Sequence, residues 1–307
     1  MLKTFQTIQA QDREKFVAPE SVQDVIPVKR IWEDGIFLVG KNKYSKMFRF
    51  DDVNYSSASD EEKAMMTAQY AKILNTFDVG ATSKITINNR RMNMDDFTGR
   101  ILIDMRDDGL DSYRREYNRM LLDKAESANS IMQEKYVTVS ECKRSIEEAR
   151  LYFARVFASL FAQFKQIGST CEELNAEQRL RLLHDFFHPG EETQFRFNMR
   201  EFMRRGHDFR DAIVPDSFEF FSDYFKFGDR YGRVLYLKDY ANRINDELIA
   251  NLCELNRNLM LSIDIIPLSM DEAIQEVENK LLGIDTNIAN WQRRQNECEL
   301  PAKLSLE

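Results

Sequence analysis

The sequence predicts an α+β fold: two small mixed domains whose antiparallel sheets are covered by helices, with a helical insert between them and a long C-terminal helix. Three observations predict it. Short apolar runs alternate at period two between turn residues, as in SKITIN, KYVTVS and LMLSIDII. Separate segments carry apolar residues at helical spacing and open on capping boxes, Ser59 with Glu62, Asn175 with Gln178, and Ser269 with Glu272. The chain of 307 residues is 43% hydrophobic and 11% aromatic, enough to fill about two cores of ordinary domain size.

After a polar lead-in, residues 1–20, the first domain is expected over 21–170. Ile26-Pro27-Val28, the Asp34-Gly35 turn, GIFLV, and the alternating Phe48 and Phe50 read as a small antiparallel sheet. Ser59 then caps a helix bearing Met66, Tyr70, Ile73, Leu74 and Phe77, which Gly80 can end. SKITIN alternates as a strand, and Ile101 to Ile103 is short and strand-like. Leu110, Tyr113, Tyr117, Met120 and Lys124 mark a second helix, and KYVTVS a further strand. A long helix from about Lys143 to Ile167 closes at Gly168. Its polar residues Arg155, Ser159 and Gln163 recur every four positions, so one edge faces water while the rest packs.

Residues 171–215 read as a helical connector, with Asn175 and Gln178 at its start and His188-Pro189-Gly190 as a stop. The second domain is expected over 216–295. It contains FEFF, DYFKF, a Gly228-Asp229 turn, RVLYL, a helix from about Asp246 to Leu255, and LMLSIDII with Leu259, Leu261, Ile263 and Ile265 on one face. Its final helix is the clearest element. After the Ser269 capping box, Ile274, Val277, Leu281, Ile284, Ile288 and Trp291 fall at alternating spacings of three and four, a narrow seam of more than five turns. Such a seam packs either on the preceding strands or on a neighbouring domain or protomer. Residues 296–307 have no apolar period and read as a tail.

Composition limits the function. The 43 Lys and Arg against 51 Asp and Glu give a net charge of −8, which argues against a broad nucleic-acid surface, since such a surface depends on released counterions. Cys142, Cys171, Cys253 and Cys298 lie far apart, without a C-x-x-C pair, and read as reduced, mostly buried thiols. The N-terminal residues contain no apolar run of signal-peptide length, and no stretch reaches the ~18 apolar residues of a membrane span, so a cytoplasmic location is expected.

Motifs that could carry chemistry are few. GIFLVGKN, Gly35 to Asn42, matches the phosphate-loop pattern up to Lys41 and then lacks the Ser or Thr that would hold magnesium. Its middle, Ile36-Phe37-Leu38-Val39, is too bulky to curl backbone N–H groups around phosphates. Apolar runs ending at Asp104 and Asp264 are common in any sheet. His184 and His188 flank Asp185 at the helical spacing of a zinc pair, but with Asp where a metalloprotease has Glu, and with only His207 as a further imidazole. A metal-dependent hydrolase on this pair is therefore the weakest reading. The arginine pairs 90–91, 114–115, 204–205 and 293–294 could serve a DNA- or relaxosome-binding adaptor, but Asp95, Asp96, Asp111, Glu116, Asp208 and Asp211 nearby suggest local ion pairing. No catalytic, cofactor or metal residue is assigned, and no direct nucleic-acid contact is expected.

The strings VKRIWEDGIFLVGKNKYSKMFRFDDVNY, GATSKITINNRRMN and DGLDSYRREYNRMLLDKA resemble a known family. So, above all, does the run from FKFGDRYGRVLYLKDY through NLMLSIDIIPLSMDEAIQEVENKLLGIDTNIANWQRRQN. The chain is similar, from its N-terminus to about Gln295, to the N-terminal part of conjugative-transfer ATPases of type IV secretion systems. This is the CagE/TrbE/VirB group, in the form carried by conjugative elements of Gram-positive bacteria. The resemblance implies an α+β domain joining a RecA-like motor to the membrane channel, at the cytoplasmic face of the membrane. ATP and magnesium would bind only in that motor, which would follow this chain, so Gly35 to Lys41 is not its phosphate loop. Implied partners are the chain's own or a paired motor domain, inner-membrane subunits of the conjugation channel, and further copies of itself. Ile284, Ile288, Trp291, Arg293 and Arg294 are the expected interdomain or partner contacts.

Overall fold

A computed structural model of the chain describes residues 19–55, 57–91, 102–127, 131–238, 246–255 and 257–303. It has the expected α+β architecture of helices with antiparallel sheets. Two compact units are distinguished, 19–266 and a second that holds the C-terminal helix, and each is described by itself.

Strands β1 (Arg30–Ile31), β2 (Phe37–Leu38) and β3 (Lys43–Phe50) form consecutive hairpins. The first turns at Asp34-Gly35, where Gly35 adopts a φ of +79° that suits glycine. Helix α1 (Asp60–Leu74) starts at the Ser59 capping box: the Glu62 N–H donates to Ser59 Oγ at 3.3 Å, and the Ser59 N–H to Glu62 Oε2 at 2.8 Å. It ends at Leu74, more than one turn before the expected Gly80, and Phe77 is buried beyond it. Strand β4 (Thr82–Arg91), helix α2 (Asp111–Ser127), strand β5 (Ile131–Cys142) and helix α3 (Ile146–Gln166) follow. The expected strand at Ile101 to Ile103 does not form in its described part. Asn118 of α2 instead satisfies the Ile103 backbone, accepting from its N–H at 2.9 Å and donating to its carbonyl at 2.8 Å.

Strand β6 (Cys171–Glu173) pairs with the end of β3, on the edge that β2 uses at its start. Then come α4 (Ala176–Phe187), α5 (Met199–Arg205), the three-stranded sheet β7 (Phe218–Phe220), β8 (Phe225–Phe227) and β9 (Arg230–Gly232), and α6 (Asp246–Cys253). Strand β10 (Leu259–Ile265) does not build a second domain. It pairs antiparallel with β4 from Leu259↔Asn89 to Ile265↔Ser83, completing a sheet of order β1-β2-β3-β5-β4-β10. Strand β10, from the segment 216–295, thus shares a sheet with β4 from the segment 21–170. The apolar face of β10 finds its partner in the edge of β4, which local periodicity could not reveal. RVLYL is likewise not a strand past Gly232: Val234, Leu235, Tyr236 and Leu237 lie in irregular chain, each more than two-thirds exposed.

The large sheet is covered on both faces. On one, Tyr44, Phe48, Ile85, Val137 and Val139 pack with Tyr152, Phe153, Val156, Leu160 and Phe164 of α3 and with Ile73 of α1. Period-two alternation in the strands meets period-3.6 spacing in the helix, so both elements bury one apolar side. On the other face, Tyr136 packs with Leu182 of α4, and Arg179 of α4 is buried beside Ser45. A second cluster joins Ile26, Val28, Ile31 and Phe37 to Leu180, Phe195, Phe197 and Ile213.

Gly35 sits where this packing is tightest. A Cβ built there would lie 2.0 Å from the Leu174 carbonyl oxygen, whereas at Gly168, with a similar φ of +81°, nothing lies within 4 Å. Gly35→Ala should therefore cost at least about 3 kcal/mol, and Gly168→Ala about 1 kcal/mol from backbone strain alone. Urea denaturation of the two variants checks the difference. Equal losses would show that the close approach at Gly35 is without effect.

Candidate functional site

The C-terminal helix α7 (Met270–Lys303) runs for 34 residues. It begins at the expected capping box, with the Ser269 N–H donating to Glu272 Oε2 and the Glu272 N–H to Ser269 Oγ, both at 3.3 Å. It also continues past residue 296, so the expected tail is helical as far as Lys303. Propensity explains the difference as far as Leu300: RRQNECEL contains no Gly or Pro, and a helix already nucleated propagates through such residues without an apolar face, whereas Pro301 in the last turn has no such explanation.

The seam is on the surface. Ile274, Val277, Leu281, Ile284 and Ile288 each expose 50 to 57% of their area. Fully burying such a side chain is worth about 1.5–3 kcal/mol, so this row is a large half-exposed apolar surface. The backbone of Trp291, Arg293 and Arg294 belongs to the same helix, while their side chains lie outside the described part. Lys280 pairs with Glu276 at 3.5 Å, an ordinary i,i+4 surface contact.

Gly35 to Asn42 is part of the core rather than a phosphate cradle. Ile36 and Phe37 are 1% and 2% exposed. The backbone donors serve the hairpins: Gly35 N–H bonds the Trp32 carbonyl at 2.9 Å, and Val39 N–H bonds the Lys43 carbonyl at 2.9 Å. An anion at this turn would have to displace backbone pairing. Asp264 lies on β10 and pairs with Lys84 at 3.4 Å, and Asp104 is in irregular chain.

His184 and His188 do come together, but as stacked rings, with centroids 4.5 Å apart and an interplanar angle of 12°. Nitrogen lone pairs lie in the ring plane, so parallel stacked rings do not aim them at one ion. His184 also rests against Phe195 and lies 3.3 Å from Asp185. Asp185 is engaged by Arg90 at 2.7 Å, across to β4. Among the described residues no group of three His, Cys, Asp or Glu could hold a metal.

The arginine pairs are largely committed to their neighbours. Besides Asp185, Arg90 lies 3.4 Å from Glu134. Arg205 bonds Glu201 at 2.5 Å, and Arg114 bonds Asp111 at 2.6 Å and Asp108 at 2.5 Å. These charges stay close to where the chain places them, and Arg204 is exposed. The side chains of Arg91, Arg293 and Arg294, and all of Asp95 and Asp96, lie outside the described residues. Of the described cysteines, Cys171 is buried, Cys253 partly so and Cys142 exposed, so among them the expectation of mostly buried thiols holds fully only for Cys171, whose pKa burial pushes up to about 12, while the side chain of Cys298 lies outside the described residues.

Two features were not foreseen. A groove of about 670 Å³ lies between α4 and α5, lined by Arg181, Arg196, Phe202, Arg205 and neighbouring acids. Beside β7–β9, Phe220, Tyr231 and the Val234 to Leu237 segment are exposed. The groove has no sequence signature, because its lining residues come from separate segments, whereas the exposed segment was read as strand and its exposure is what the sequence did not show. Among the described residues no helix is long and apolar enough to cross a membrane. No protein-family model matches the chain, and no curated protein matches it.

The Arg114 hydrogen bonds hold the Asp108 carboxyl down to about 2. A carboxyl with a lowered pKa stabilises its loop above the ordinary aspartate value and loses that effect as pH falls through the lowered one. The Asp108 carboxyl carbon should therefore titrate near 2 by NMR, and Arg114→Gln should return it toward the ordinary 3.8. A wild-type midpoint already at that ordinary value would show that Arg114 is free for other anions.

Proposed function

We propose that this chain is the N-terminal docking and assembly domain of a type IV secretion ATPase, which energises conjugative DNA transfer, and that it links the motor to the membrane channel. The observation that carries this reading is α7: a helix of 34 residues with an unburied apolar seam, lying within the long string by which the chain resembles that family. A helix with half of each seam residue in water is built for contact rather than for a solvated life. The hairpin core around Gly35 supports placing any nucleotide chemistry in a separate motor. In this reading the chain works at the cytoplasmic face of the membrane and binds inner-membrane subunits of the channel. The motor holds the ATP and magnesium.

The arginine pairs give the DNA-adaptor reading little support, since Arg90, Arg114 and Arg205 already bond to carboxylates of the chain. Nor does the stacking of His184 on His188 favour a metal-dependent hydrolase.

Co-purification with channel subunits and a mating assay test the proposal. Ile284→Asp and Trp291→Ala should each lower DNA transfer by about tenfold or more and reduce recovery of the channel subunits. Unchanged transfer and recovery would count against docking through α7. Separately, ATP hydrolysis by the purified 307-residue chain, abolished by Lys41→Ala, would overturn the non-catalytic assignment.

A further inference from the structure

The seam of α7 has a strict heptad register. With Ile274, Leu281 and Ile288 at position a, position d holds Met270, Val277, Ile284 and Trp291. Apart from Leu282, the large apolar residues of this stretch fall at those two positions. That is the narrow seam of a coiled coil, whereas a helix laid on a globular core carries a wider stripe. From Met270 to Trp291 the seam covers about 33 Å at ~1.5 Å per residue, roughly the three heptads that a coiled coil requires, and Gln295 takes the next a position.

The flanking charges indicate what covers the seam. Position e carries Asp271, Glu278, Asp285, Gln292 and Glu299, and position g carries Ala273, Lys280, Asn287 and Arg294. In a parallel, in-register pair, each g position faces the e position five residues further on in the other helix. That places Lys280 opposite Asp285 and Arg294 opposite Glu299, with Asn287 opposite Gln292 and Ala273 opposite Glu278. No like charges meet. In an antiparallel pair e faces e and g faces g, which sets acids against acids and Lys280 or Arg294 against residues of their own row.

We propose that α7 forms a parallel, in-register coiled coil with α7 of a second copy of this chain. The mixture of Ile and Leu at a with Val, Ile and Trp at d suits two strands or more, and the same pairing of g with e applies in each case. The proposal rests on the docking reading only in taking α7 as a contact surface, and it names the occupant of the seam.

Sedimentation of the full chain, with no other component present, tests it. The wild type should self-associate with rising concentration. Asp285→Lys places lysine against Lys280 of the other copy and should weaken association about tenfold, while leaving the Lys280 to Glu276 contact intact. The double variant Lys280→Glu with Asp285→Lys should restore association to within about threefold of wild type. Residues five apart on one helix do not touch, so rescue cannot arise within a single α7. The in-register arrangement also brings the two Cys298 residues together at position d, so mild oxidation should give a covalent dimer that Cys298→Ser abolishes. A monomer at up to about 100 μM, or association indifferent to the charge swap, would overturn the proposal. A monomeric chain whose DNA transfer still depends on Trp291 would sink self-association and leave docking to other subunits standing. Self-association without recovery of channel subunits would do the reverse.

Discussion

The guanidinium of Arg179 holds unit 19–266 in register. It is 6% exposed and, among the described residues, faces no carboxylate. It donates to the Gly35 carbonyl at 2.7 Å, the Ser45 carbonyl at 2.8 Å and Ser45 Oγ at 2.9 Å, and it lies over the Phe37 ring at 3.9 Å. Burial lowers its pKa to about 9, so the group is still charged at neutral pH. A buried cation is tolerated only where most of its hydrogen bonds are made; here both terminal nitrogens are bonded, while the buried Nε has no partner among the described residues. Those acceptors are in place only if the first hairpin has turned at Gly35 and β3 has paired, so α4 can settle only on a correctly formed β1–β3 unit. The contact at Gly35 expresses the same constraint from the other side, because the backbone of Leu174 and Asn175 leading into α4 approaches too closely for any side chain there.

From that knot the layers follow. The sheet presents Phe48 and Val139 to α3 on one face and Ser45 and Tyr136 to α4 on the other, so its central strands are protected from solvent on both sides. Conserving backbone pairing in this interior leaves little freedom for chemistry at the near-match to a phosphate loop. Exposed apolar surface lies elsewhere, in the row of half-exposed aliphatic residues on α7 and in the Val234 to Leu237 segment.

Much of this was legible in the sequence, and for identifiable reasons. The capping boxes at Ser59, Asn175 and Ser269 mark true helix starts because each satisfies backbone donors locally, without reference to the rest of the fold. The Asp34-Gly35 turn was legible for the same reason. What failed was non-local. Arg179 reads as a surface residue of an amphipathic helix, and nothing in its neighbours announces that carbonyls from residues 35 and 45 will surround it. Ile103 loses its strand character to a side chain of α2, and RVLYL has the alternation of a strand but follows β9 without pairing. The heptad of α7 was readable as a pattern, whereas the exposure of its seam became visible only in three dimensions.

The late arrival of β10 has a consequence for how the chain is made. Its residue Ile265 is bonded by Ser83, 182 positions earlier. During synthesis the edge of β4 must therefore wait, unpaired, while everything up to β10 is translated, and contacts of such sequence separation form slowly. The interval in which a nascent chain keeps that edge unpaired is set by the time needed to make the residues between β4 and β10.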